Sequence, residues 1–103
     1  MNPPLPTRLG KTTKLQDIRG HEKSYEVVAE DVFLAQSNPD KAFAVHKLKW
    51  DDGREEFRIG YFMIAHRPRA KGKWAWGQFA PMMTETEMTE IFQRAEKLRQ
   101  RCL

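Results

Sequence analysis

Two runs of alternating apolar and polar residues flank Asp51-Asp52-Gly53, and that arrangement restricts the fold more than any other feature of the chain. Ala42 to Trp50 and Arg54 to His66 read as two strands of a hairpin. Asp-Gly suits a two-residue connection, because both central positions tolerate positive φ. With Asp52-Gly53 as the turn, Lys49 faces Glu56, Leu48 faces Phe57, His46 faces Ile59 and Ala44 faces Tyr61. An opposite-charge pair and an apolar pair then agree with the alternation, which supports the register. One face carries Trp50, Leu48, Phe57, Ile59, Tyr61 and Met63; the other carries Phe43, Val45, Lys47, Arg58, Gly60, Phe62 and Ile64. Lys47 and Arg58 would oppose each other, and like charges in that position cost stability unless something anionic relieves them.

The flanking segments extend the hairpin into a meander. Ser24 to Gln36 carries Tyr25, Val27, Ala29 and Phe33 on one strand face, and its valines and aromatics favour a strand over a helix. Ser37-Asn38-Pro39-Asp40-Lys41 is turn chemistry. A further strand is expected from Lys73 to Ala80, stopped by Pro81. Gly60 and Gly77 fall in mid-strand, where glycine marks a bulge or bend. If these two glycines pair, Tyr61 shares a face with Trp74 and Trp76.

Thr84 and Glu87 fit a capping box. Met88, Ile91, Phe92, Ala95 and Leu98 then follow at helical spacing. Glutamates crowd the start of this helix and Arg94, Lys97, Arg99 and Arg101 its end, which complements the helix dipole. The expected fold class is therefore α+β: a curved antiparallel meander of three to four strands, then one C-terminal amphipathic helix, ββββα. If residues 24–36 are helical instead, the order is αβββα.

Residues 1–23 read as a flexible basic arm and residues 24–103 as a single domain. The arm holds three prolines in its first six residues and a net charge of +3. Its few apolar residues offer too little burial to offset the entropy of ordering. Met1 to Pro6 lacks the apolar core of a secretory signal, and no apolar run is long enough to span a membrane. Cys102 is the single cysteine, so no internal disulfide or four-ligand metal site is expected, and a reducing cytoplasm fits. No cofactor motif is present.

His46 is expected to be a hydrogen-bonded core histidine. His66 is placed to contact phosphate. No positioned general base is visible, so an enzyme is not expected. Asp51 and Asp52 are accounted for by the turn.

The segment from His66 to Trp76 carries the most functional information. No carboxylate lies between Glu56 and Glu85, and that interval holds Arg58, Arg67, Arg69, Lys71 and Lys73. Trp74 and Trp76 follow at once. Cations neutralise phosphates and aromatic faces stack bases. The expectation is a non-enzymatic nucleic-acid-binding domain preferring single-stranded DNA or RNA, with Arg58, Arg67, Arg69, Lys71, Lys73 and Lys47 on phosphates and Trp74 or Trp76 stacking. The overall charge of +4 favours such a partner only weakly. The alternative is a protein-interaction module, a homodimer or accessory subunit, using the apolar face of Phe43, Val45, Phe62, Ile64 and Phe79.

A hairpin, a basic loop ending in Lys71-Gly72-Lys73, a short strand, a proline and an amphipathic helix occupy roughly residues 40–101. That order resembles the transcriptional-coactivator-like and Whirly-type single-stranded-DNA binders in architecture. The resemblance implies a curved sheet and a single-strand ligand, and carries over no residue role. The αβββα alternative has the element order of double-stranded-RNA-binding domains, without their lysine cluster at the start of the last helix.

Overall fold

A computed structural model describes residues 2–66, 71–77 and 81–101. Five antiparallel strands, β1 (Thr12–Gln16), β2 (Glu22–Ala35), β3 (Asn38–Trp50), β4 (Glu55–Ile64) and β5 (Trp74–Trp76), pair in chain order as a curled sheet. Helix α1 (Glu85–Arg101) follows. The α+β layout matches expectation, with one strand more. The extra strand is β1, which forms inside the segment read as a loose arm and pairs Thr13 with Tyr25 and Leu15 with Lys23.

The β3–β4 register differs from expectation by one residue. Lys49 pairs with Glu55, Lys47 with Phe57, His46 with Arg58 and Ala44 with Gly60. Asp51-Asp52-Gly53 is a three-residue loop, closed by hydrogen bonds from Trp50 N to Arg54 O (2.8 Å) and from Gly53 N to Trp50 O (2.9 Å). Only Gly53 takes positive φ there. A two-residue turn would require it of Asp52 as well, at a steric cost that the longer loop avoids. Both aspartates also serve the turn through their side chains. Asp52 Oδ1 accepts from Arg54 N, and Asp51 Oδ2 from Ser24 N.

Because side chains alternate with period two, this shift moves every β4 residue to the opposite face. Arg58, Gly60, Phe62 and Ile64 therefore join His46, Ala44 and Ala42. Lys47 and Arg58 do not oppose each other; they lie on opposite faces of the sheet. The expected apolar face divides in the same way. Phe43 and Val45 sit under α1, Phe62 lies across the sheet with Ala42 and Ala44, and Phe79 falls outside the described residues.

Two further boundaries moved. The β2–β3 turn is Gln36-Ser37, and Pro39, Asp40 and Lys41 are extra residues between the pairs Ala35–Asn38 and Leu34–Ala42. That irregularity is where a strand can hold a proline, since no ladder amide is needed. A second irregularity at Val28 separates Val27–Leu48 from Ala29–Lys47. It turns Val27 onto the face of Leu48 and leaves Ala29, Asp31 and Phe33 facing the helix. The strand expected from Lys73 to Ala80 is described only as Trp74–Trp76, and residues 78–80 lie outside the described residues.

The core under the helix is built from Phe33, Ala35, Phe43, Val45, Ile91 and Leu98. The Phe33 and Phe43 rings lie 5.8 Å apart. Arg94 sits 4.0 Å over the Phe33 ring and pairs with Asp31 (3.0 Å) and Glu90 (2.8 Å), so its charge ties the helix to β2. The capping box is present as expected: Glu87 N donates to Thr84 Oγ1 and Thr84 N to Glu87 Oε1. Glu87 is fully buried and also accepts from the Ser37 amide and hydroxyl. Burial alone would raise its carboxyl, but the Thr84 and Ser37 donors outweigh it and hold the group at about 2. One side chain thus caps the helix and fixes it to the β2–β3 turn. The helix is rotated from its expected orientation, since Met88 and Phe92 are 42% and 59% exposed.

Candidate functional site

The face of the sheet away from α1 holds a connected polar group at its centre. His46, pointing from the middle of β3, is 0% exposed. Its neighbours across the two ladders are Glu30 on β2 and Arg58 on β4. Arg58 Nη2 lies 2.9 Å from His46 Nδ1, and Arg58 Nη1 donates to the Tyr25 hydroxyl at 2.8 Å. His46 Nε2 lies 3.0 Å from Glu30 Oε2. A guanidinium can only donate, so Nδ1 must accept and the imidazole proton resides on Nε2, facing Glu30. His46 is therefore neutral. Burial, reinforced by the Arg58 charge, pushes it below its ordinary value against the pull of Glu30.

Aromatic rings wall this group. The Trp76 indole stacks on His46 at 5.4 Å with 19° between planes, and Arg58 lies 4.7 Å from the same indole. Phe62 meets Trp76 edge-on at 4.9 Å. Trp76 fits because Gly60 lies beneath it: a Cβ built there would collide with the indole. Gly77 leaves the same room for the Tyr61 ring on the opposite face. Gly60 within β4 and Gly77 just after β5 therefore admit aromatic rings, and the Ala44–Gly60 pairing continues without a bulge. Tyr61 lies on the helix face, away from Trp74 and Trp76, because Gly77 pairs with Tyr61 rather than with Gly60.

Residues 2–11 cross this face as a strap. Asn2 Nδ2 donates to Pro39 O and Asp40 Oδ1, and Trp74 Nε1 donates to Pro3 O at 3.2 Å. Thr7 Oγ1 and Arg8 N donate to the two oxygens of Glu30 at 2.6 and 2.7 Å. The Arg8 guanidinium lies 5.2 Å from the Trp76 ring. Gly10 N and Lys11 O then bond Val27. The strap therefore reaches β2, β3 and β5, and closes over the buried polar group.

The residues expected to bind nucleic acid are dispersed by this arrangement. Lys71 and Lys73 are exposed at the β5 end of the β4–β5 connection, where Gly72 N donates to Ala65 O and Ala65 N to Lys73 O. Neither lysine has an ion pair among the described residues. Arg67 and Arg69 lie outside the described residues. Arg58 is committed to His46 and Tyr25. Lys47 is almost buried on the helix face and pairs with Glu55 at 3.2 Å. Trp74 and Trp76 are half-buried against Ala42, Ala44 and Phe62. His66 is exposed.

His46 is the buried, hydrogen-bonded histidine that the sequence predicts, but its partners Glu30 and Arg58, and Tyr25 bonded to Arg58, are not foreseen there. The signal was the period-two placement of Glu30, His46 and Arg58 on adjacent strands, which only the correct register aligns. Among the described residues no cluster of His, Cys, Asp or Glu could hold a metal ion, and no helix is long and apolar enough to cross a membrane. The chain matches no protein-family model, no curated protein and no solved structure.

Proposed function

We propose that this chain is a small, non-enzymatic nucleic-acid-binding domain preferring single-stranded DNA or RNA, with phosphates held by the β4–β5 connection. The observation that carries the reading is the Lys71-Gly72-Lys73 turn. It presents two exposed lysines without ion pairs among the described residues, in a stretch of chain with no carboxylate from Glu56 to Glu85. Arg67 and Arg69 share that connection in sequence. Arg58 and Lys47 are left out of the phosphate patch, because their charges are spent inside the fold. The burial of His46 beneath Trp76 supports a binding role over a catalytic one. The lone cysteine fits a reducing cytoplasm.

Fluorescence anisotropy with labelled single-stranded DNA, single-stranded RNA and duplex tests the reading. Four loop cations predict a single-strand salt slope of roughly −3, a loss of about fifty-fold in affinity between about 50 and 200 mM salt. Lys71→Glu with Lys73→Glu should abolish binding and leave the melting temperature unchanged. Binding that survives this double reversal ends the assignment.

One observation favours a second reading, a protein-interaction module. Met88 and Phe92 belong to the apolar stripe of α1, yet both stand open on its outer side. Light scattering after size exclusion tests a homodimer built on them. A dimer that Phe92→Glu converts to monomer supports it, and a monomer at all concentrations ends it.

A further inference from the structure

We propose that the seat of the N-terminal strap is itself a binding site for an unpaired nucleotide, and that strap and single strand compete for it. This rests on reading the chain as a single-strand binder. It adds which surface takes the base and what covers it.

The floor of the seat has the chemistry of such a site. Trp74 and Trp76 lie on the same strand face, and Arg58 stands beside Trp76. Aromatic faces stack any base, and a guanidinium beside the ring adds to the stack. The strap satisfies this floor with groups that a nucleotide also offers. The Pro3 carbonyl accepts the Trp74 indole proton, as a base carbonyl does. The flat Arg8 guanidinium covers the Trp76 ring, as a base does. The Nε–H of Arg58 is buried and finds no acceptor among the described residues. Base carbonyls and ring nitrogens are acceptors of the kind it lacks.

The strap is also lightly held. Five hydrogen bonds join residues 2–8 to the sheet. Leu5 and Leu9 remain about half exposed, so the strap buries little apolar surface. Segments with few apolar contacts open well below the global unfolding free energy. The seat also continues directly from the phosphate loop, since Lys73 precedes Trp74 in the chain. A strand held at Lys71 and Lys73 brings its next base to Trp74.

Competition has a sign that electrostatics alone does not. Deleting residues 2–8 removes a cation, Arg8, and by charge should weaken binding. Removing the competitor should instead tighten it, because a ligand that binds only the open state is penalised by the closed fraction. In a Trp50→Phe background, we expect the deletion to bind labelled oligothymidylate of about 20 nucleotides about tenfold more tightly, with quenching of indole fluorescence. A folded deletion variant that binds equally or more weakly overturns the proposal.

A second variant serves if the deletion does not fold. Asn2→Cys with Asp40→Cys, in a Cys102→Ser background, pins the strap to β3 under oxidising conditions. The oxidised form should bind about tenfold more weakly than the reduced form and show no indole quenching. Equal binding in both redox states overturns the proposal. If the wild type binds through Lys71 and Lys73 but the pinned strap changes nothing, the strap proposal alone falls. If the wild type binds no single strand, both fall.

Discussion

Gly60 on β4 and Trp76 on β5 are matched in shape: the indole occupies the volume that a Cβ on Gly60 would need. The same indole stacks on His46 and receives the Arg58 cation, so one missing methyl group sets the geometry of the whole polar group. Gly60→Ala should therefore destabilise by about 2 kcal/mol through overpacking, lowering the melting temperature by roughly 10 °C. Urea denaturation of Gly60→Ala, Trp76→Leu and the double variant checks it. The double variant should lose less than the sum of the single losses.

His46 gives the fold a dependence on mild acid. Its folded value is lowered by burial and by Arg58 from the ordinary 6.5. The unfolded chain therefore binds a proton that the folded chain refuses. The contribution to stability is complete above 6.5 and is lost as pH falls below it. Chemical denaturation across that range should show stability rising with pH. By ¹⁵N–¹H correlation, the His46 ring should remain the Nε2–H tautomer as pH falls to 6.5. An imidazolium at neutral pH would contradict the hydrogen-bond assignment.

Glu87 acts lower on the pH scale. Its carboxyl is held at about 2 against an ordinary 4.5. Stability from this group is present above 4.5 and is lost as pH falls toward 2. Glu87→Gln keeps the shape but weakens the bonds to Ser37 and Thr84, and should cost about 1–3 kcal/mol at neutral pH. Its acid limb should be flatter than that of the wild type over the same range. An identical limb would place the responsible carboxylates elsewhere.

Arg58 separates structural cations from binding cations. Arg58→Gln leaves Tyr25 and His46 without their charged donor and should destabilise by about 2 kcal/mol. It should leave the salt slope of oligonucleotide binding unchanged, whereas each lysine removed from the β4–β5 connection should reduce that slope by about 0.7. Paired denaturation and salt titrations of Arg58→Gln and Lys71→Gln separate the two roles.

The meander, the capping box and the C-terminal helix were legible in the sequence because each is signalled by local chemistry. Thr84 and Glu87 sit three residues apart, and valines and aromatics mark β2. What was not legible depended on one turn residue. Asp52-Gly53 and Asp51-Asp52-Gly53 are both sound turns, and they differ by one residue of register. That single residue sent Arg58 and Lys47 to opposite faces and brought Arg58 to His46. The strap was illegible for a different reason. Residues 2–11 have no periodicity of their own, and their partners Pro39, Trp74 and Glu30 are distant in sequence. The helix rotation escaped because Glu87, a charged residue, takes a fully buried position beside Ile91 and leaves Met88 and Phe92 outside.

The strap also bears on the order in which the molecule assembles. Every strand pairs with its neighbour in the chain, so the pairing is as local as a sheet allows, which favours faster folding than non-local pairing would. The bond between Trp74 and Pro3 spans 71 residues and has nothing to attach to until β5 is in place. Residues 2–8, which precede every strand in the chain, would thus be the last to reach their native position. A domain emerging during synthesis would expose its tryptophan floor until the whole sheet had formed.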